Sequence, residues 1–298
     1  MPPMGPTSGK WGVVATDGIP VSTIRNWMVN HTADTKPLVA SNTKGGNSRR
    51  FGNQDWTGSF EQFDGVPIVM PGQGFNFIGF IGPLSGTPQD VGPAYVGPAI
   101  VDNIALTINW ETGDIITCVT NFSGNGEVQV LPGQDFVDNT TPKGYPSQLA
   151  KLELAMYTAG TLVYTPICVQ QAVLNILANN IPVMDSCGDG WMRRLSGVID
   201  WNMNFVCTEA DITAQPLNML VNSYVAAKLW INSLNYWDLK WALVKEYTNF
   251  TVERDTGKLI NYTVNIEMSV DSGPNSLADG QIILPGAITP WFPEPVAP

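Results

Sequence analysis

The chain has 298 residues, a formal net charge of −11, and 14% charged against 44% hydrophobic residues. That length holds two domains of ordinary size, and low charge with this apolar content excludes a disordered chain. The acidic balance argues against a surface that grips nucleic acid, which needs Lys and Arg against phosphate; it suits a surface past which DNA slides without sticking.

Residues 1–10 are rich in Pro and Gly and read as a flexible arm. Trp11 to Val21 predicts a hairpin turning at Asp17-Gly18, a dipeptide that accepts positive φ, and returning through Ile19-Pro20-Val21. Residues 22–48 are polar and irregular, with Lys44-Gly45-Gly46-Asn47 the most pliant point. A loop of that length in a compact domain usually serves function, and we expect an assembly loop. Next comes Arg49-Arg50-Phe51-Gly52-Asn53-Gln54-Asp55-Trp56-Thr57-Gly58-Ser59-Phe60. Its alternation predicts a strand with Trp56, Gly58 and Phe60 inward. Pro71 then leads to a strand at Phe75–Ile81. Two more strands, Ile104–Trp110 and Ile115–Phe122, flank a turn at Glu111-Thr112-Gly113-Asp114.

Residues 125–166 read as a Gly/Pro-rich linker with a short helix over Gln148–Tyr157. Leu174-Asn175-Ile176-Leu177, a turn at Asn179-Asn180 and Ile181-Pro182-Val183 predict a second hairpin. Arg193-Arg194 then leads to a strand with Trp201, Met203 and Phe205 on one face and Asp200, Asn202 and Asn204 on the other. A helix is expected over Thr208–Leu220, limited by Pro216. Strands follow at Ala226–Ile231, Trp241–Val244, Thr248–Arg254 and Leu259–Val270, with a turn at Asp255–Lys258. The tail from Asp271 is again rich in Pro and Gly.

These elements state one phrase twice. Each copy has a double arginine (Arg49-Arg50, Arg193-Arg194), an Asp-Trp (Asp55-Trp56, Asp200-Trp201) and a Phe four residues after the Trp (Phe60, Phe205). Pro71 and Pro216 each stand 15 residues after the Trp; Gly113 and Gly257 stand 57 and 56 after it. An Ile-Pro-Val precedes each phrase. Matched landmarks in one order mark a tandem duplication. One interval departs: Pro20 to Asp55 is 35 residues, whereas Pro182 to Asp200 is 18. On that alignment the first copy carries a longer excursion before its Asp-Trp strand.

The order of hairpin, loop, Asp-Trp-x-x-x-Phe strand, proline connection and strands about a Thr-Gly turn resembles the tail-tube proteins of long-tailed bacteriophages. More distantly it resembles the tube protein of type VI secretion. The resemblance covers about 20–125 and 170–270. It implies a mainly β fold with two tandem antiparallel sandwich or barrel domains, each with a short helix, over 1–125 and 167–298, with 126–166 between. It implies a structural virion protein, not an enzyme, that forms hexamer-like rings from three chains and stacks them into a tube conducting DNA. Its partners would be itself, the tape measure inside the lumen, the terminator and the distal tail, with no membrane. A terminator or neck protein, or a glycan-binding β-sandwich, are the other readings.

No catalytic, cofactor or metal residues emerge. His31 is the sole histidine and reads as a solvated loop residue. Asp55 and Asp200 could be imagined as a carboxylate pair for glycoside hydrolysis, but their place in a repeat points to structural roles. For the double arginines, pairing with carboxylates is favoured over phosphate binding. The ten Trp are expected in cores and interfaces rather than on a glycan platform. Cys118, Cys168, Cys187 and Cys207 make no CxxC, and with no signal peptide we expect free thiols and synthesis inside the cell. No stretch approaches the ~20 apolar residues that cross a bilayer.

Overall fold

The computed structural model describes residues 12–21, 23–38, 48–63, 65–81, 92–134, 144–156, 163–184, 190–209, 221, 223–251, 260–269 and 282–283. It is mainly β and antiparallel, as the alternating apolar and polar residues require. The chain divides into two compact units. The first comprises residues 1–104, 118–143 and 177–199; the second comprises 105–117, 144–176 and 200–298.

The first unit holds β1 (Val13–Thr16), β2 (Ile19–Pro20), β3 (Ile24–Leu38), β4 (Ser48–Gln62), β5 (Gly74–Phe80), most of β6 (Gly92–Asn109), β7 (Thr117–Gly124) and β8 (Gln129–Gln134). Their order across the sheet is β2-β1-β5-β6-β7-β4-β3, and β8 also pairs with β6. Asp17 and Gly18 take φ of 51° and 78°, as the first hairpin requires. Trp56, Phe60, Phe75, Phe77 and Phe122 are buried. Phe77 and Phe122 stand 4.7 Å apart at the centre of that cluster. Trp56, Gly58 and Phe60 do share the inner face of β4.

The second unit holds β9 (Lys151–Met156), β10 (Thr165–Ile167), β11 (Val169–Ala178), β14 (Ile199–Glu209), β15 (Tyr224–Trp230), β16 (Tyr236–Thr251), β17 (Ile260–Met268) and β18 (Ile282–Ile283). The end of β11 and the start of β14 belong to the first unit, as do the short strands between them, β12 (Ile181–Val183) and β13 (Arg193–Leu195). The order across these strands is β10-β9-β15-β16-β17-β14-β11, and β18 also pairs with β16. Trp201, Met203, Phe205, Trp237, Tyr262, Val264 and Ile266 are buried.

The two strand orders match element for element and in chain order. β1 to β8 find counterparts in β9, β10, β11 with β12, β13 with β14, then β15, β16, β17 and β18. Register sharpens the match. Pro20 lies opposite Ala15, which lies opposite Ile78; Pro166 lies opposite Glu153, which lies opposite Lys228. Pro37 lies opposite Arg49, and Pro182 opposite Arg194.

This register corrects the sequence alignment. The partner of Ile181-Pro182-Val183 is Lys36-Pro37-Leu38, and that of Ile19-Pro20-Val21 is Thr165-Pro166-Ile167. Pro37 and Pro182, Arg49 and Arg194, Asp55 and Asp200, Trp56 and Trp201, and Phe60 and Phe205 then all differ by 145 in number. The apparent extra excursion vanishes, because both prolines precede their Asp by 18 residues. The identical Ile-Pro-Val triplets misled because proline recurs wherever a strand can spare a backbone donor. The double arginines are offset by one, so Arg194 answers Arg49, not Arg50.

Five expected elements change. The described part of 22–48 is not irregular loop: β3 pairs with β4 along nearly its whole length, and the sequence hid it because from Asn30 onward both faces are mostly polar. Residues 39–47, with Lys44-Gly45-Gly46-Asn47, lie outside the described residues. The helix over 148–157 is a 3-10 turn at Ser147–Leu149 followed by β9. Leu, Ala, Lys and Glu favour helix there, but pairing with β10 and β15 overrides a weak propensity. Asn179-Asn180 is not a hairpin turn, because β11 pairs with β14 and β12 with β13. Residues 126–166 carry β8 and β9 rather than a bare linker. The helix expected over 208–220 begins inside β14, and 210–220 lie outside the described residues.

Candidate assembly interface

The ribbon formed by β12 and β13 seats Arg194 against Asp55. The Arg194 side chain is 11% exposed and that of Asp55 30%. Nη1 donates to Oδ1 at 2.9 Å and Nη2 to Oδ2 at 2.6 Å. Two parallel bonds match the guanidinium fork to the planar carboxylate, a geometry lysine cannot copy. Nη1 also donates to the Gly124 carbonyl. The Arg194 backbone N–H donates to Asn125 Oδ1 at 2.7 Å. Arg194 is thus held at both ends of its side chain.

The Asp55 carboxylate is oriented before the arginine arrives. Its Oδ1 accepts the N–H of Trp56 at 2.8 Å. Trp56 is anchored in turn, its indole N–H donating to the Gly126 carbonyl at 2.9 Å. Gly124 has to lack a side chain, since a Cβ there would lie 2.1 Å from the Trp56 indole nitrogen.

The backbone continues the contact. The last pairing of β4 with β7 is at Thr57, which leaves the β4 edge vacant at Gln54. Residues 190–192 take it: the Gln54 N–H donates to the Gly190 carbonyl at 2.8 Å and the Met192 N–H to the Gln54 carbonyl at 3.0 Å. Covering an edge in this way removes unpaired backbone donors and acceptors. Trp191 stacks on His31, ring centroids 5.2 Å apart, so His31 sits on a strand rather than in a loop. Deeper in, Asn180 Nδ2 donates to the Val101 carbonyl at 2.9 Å and to Asp102 Oδ1 at 2.8 Å.

Of the sequence-selected residues, Asp55, Trp56, Phe60 and Arg194 come together in the first unit. Arg193 is exposed on the outer side of the ribbon. Arg50 lies opposite Lys36 in the β3–β4 register. Asp200, Trp201 and Phe205 lie in the second unit, in the same arrangement as their counterparts. Asp200 Oδ1 accepts the Trp201 N–H at 2.8 Å, and Trp201 and Phe205 are buried. Gln54, Gly124, Asn125, Asn180 and Trp191 escaped sequence reasoning. The constant spacing of 145 between Pro37 and Pro182 was the one signal that could have led there.

The second unit's Asp200 is exposed, with no arginine upon it among the described residues. Lys245, whose charge Asp200 influences, donates to Glu267 at 2.8 Å. The Glu267 hydrogen bond, and then its charge, hold the Lys245 ammonium above its ordinary range, and Asp200 adds a smaller push in the same direction.

Among the described residues, no three His, Cys, Asp or Glu gather to hold a metal ion. Cys118 and Cys207 are buried and Cys168 is exposed, and none of the three is in a disulfide. No helix among them is long and apolar enough to cross a membrane. What the site offers chemically is an oriented carboxylate, a forked cation and a shared strand edge, which together make a docking contact. Comparison with protein-family models and with curated proteins finds no match.

Proposed function

We propose that this chain is a structural virion protein, the tail-tube subunit of a long-tailed bacteriophage, built by writing one β unit twice. Three chains would supply six such units to a closed ring, and stacked rings would form the tube. The observation that carries this reading is the docked ribbon: an arm from the second repeat lies in the first unit and clamps its Asp-Trp strand. A repeated unit that docks head to tail uses heterologous contacts, and such contacts close into rings when the rotation allows. Joining sheets around a ring also removes free strand edges. With a net charge of −11, the bore would repel DNA phosphate and keep passage fast. The tape measure, terminator and distal tail proteins are the partners this role requires.

Negative-stain microscopy of the purified protein tests the reading. Tubes or short stacks with threefold or sixfold end views support it. Rings that never stack would point to a terminator or neck protein, and particles that remain monomeric would end it.

A further inference from the structure

The first repeat owns an arm of the same construction, which beyond the Trp191 stack on His31 stands exposed among the described residues. The outer part of β3 and β4 places Arg49 opposite Pro37, as β12 and β13 place Arg194 opposite Pro182. Residues Asn30 to Pro37 are exposed throughout. Arg49 is exposed, and its side chain makes a long 3.4 Å hydrogen bond to Thr35 Oγ1. A two-stranded ribbon bare on this scale is marginal in water and gains stability from a surface to lie on.

The second unit owns the matching seat, also bare among the described residues. Asp200 is oriented by the Trp201 N–H as Asp55 is by that of Trp56. Asp55 is clamped by an arginine and only part-exposed, whereas Asp200 is exposed. Gln54 carries an edge bridge from Trp191; Ile199, 145 positions later, carries none among the described residues. Beneath it the Trp201 indole N–H is buried without a partner among the described residues.

We propose that Arg49 of one copy grips Asp200 of the next, repeating between chains the contact that Arg194 and Asp55 make within one. The occupant of the Asp200 seat is the β3–β4 arm of a second copy. The arm supplies a forked cation and the seat an oriented carboxylate, in a chain with 15 Lys and Arg against 26 Asp and Glu. One rule then serves every junction: the arm of each repeat docks on the Asp-Trp strand of the repeat beside it. The contact rests on the self-assembling part of the proposed function and not on the tail assignment.

Charge reversal tests it. Arg49→Asp sets two carboxylates against each other at each junction between chains, and Asp200→Arg sets two guanidiniums. The double variant Arg49→Asp with Asp200→Arg restores attraction with the signs exchanged. Sedimentation velocity over a concentration series reads the midpoint of assembly, and urea denaturation reads folding. Each single reversal should raise the midpoint at least ~10-fold, and the double variant should return to within ~3-fold of the natural chain. The milder Arg49→Ala and Asp200→Asn should raise it ~3-fold with unchanged urea midpoints, which covers a reversal that misfolds. Assembly of the single reversals at the natural midpoint overturns the proposal. So does a double variant no better than either single, or a natural chain that stays monomeric. Tubes from unaffected single reversals would refute this contact and leave the tube reading intact. Rings rescued by the double variant that never stack would do the opposite.

Discussion

Arg194 reaches Asp55 across 139 positions of sequence and meets it with two parallel hydrogen bonds. Removing either partner leaves the other part-buried and uncompensated, which costs more than the pair contributes net. Arg194→Ala should lower stability by about 1–3 kcal/mol, with partial solvent exposure of Asp55 keeping it below the buried-pair range. Arg194→Lys should recover less than half of that loss, since an ammonium cannot reproduce the fork. Urea denaturation of the three proteins, compared by ΔG in water, decides; equal stability of all three would show the pair to be inert.

Gly124 lies under the Trp56 ring, and its carbonyl accepts from Arg194. Gly124→Ala pushes a methyl to 2.1 Å from the indole nitrogen, so Trp56 or the β7 end has to move. A loss of about 2–4 kcal/mol is expected from overpacking with a broken hydrogen bond. The readout is the thermal midpoint together with Trp fluorescence, and an unshifted emission maximum would contradict the displacement.

The two Asp-Trp strands also differ at the indole N–H. The Trp56 indole N–H donates to Gly126, whereas the Trp201 indole N–H has no partner among the described residues. Trp56→Phe therefore strands a carbonyl that Trp201→Phe does not. The first substitution should cost about 1 kcal/mol more than the second. Equal losses in chemical denaturation would remove the distinction.

Glu153 links acid to stability in the second unit. Burial pushes its carboxyl up, but hydrogen bonds from Lys151 and Trp230, with the charges of Lys151 and Lys228, outweigh it and leave it below its ordinary 4.5. A carboxyl depressed in the folded state contributes stability above its unfolded value and loses it as pH falls through the folded one. Stability should therefore decline below about pH 4.5, and Glu153→Gln should flatten that part of the profile. Urea midpoints measured in steps from about pH 6 to about pH 3 would show it, and parallel profiles would exclude Glu153 as the source.

The sequence by itself determined the mainly β class of fold and the inward faces of the Asp-Trp strands. Side-chain alternation has a period of two and is written directly in the residues around Trp56 and Trp201. Tertiary structure decided what pairs with what. Strand partners are chosen across long distances by backbone groups that nearly every residue carries alike, so the mostly polar outer half of β3 left no trace and β9 read as helix. The same holds for Arg194: two arginines stood side by side in each copy, and only the position of Pro182 across the ribbon showed which one faces an aspartate.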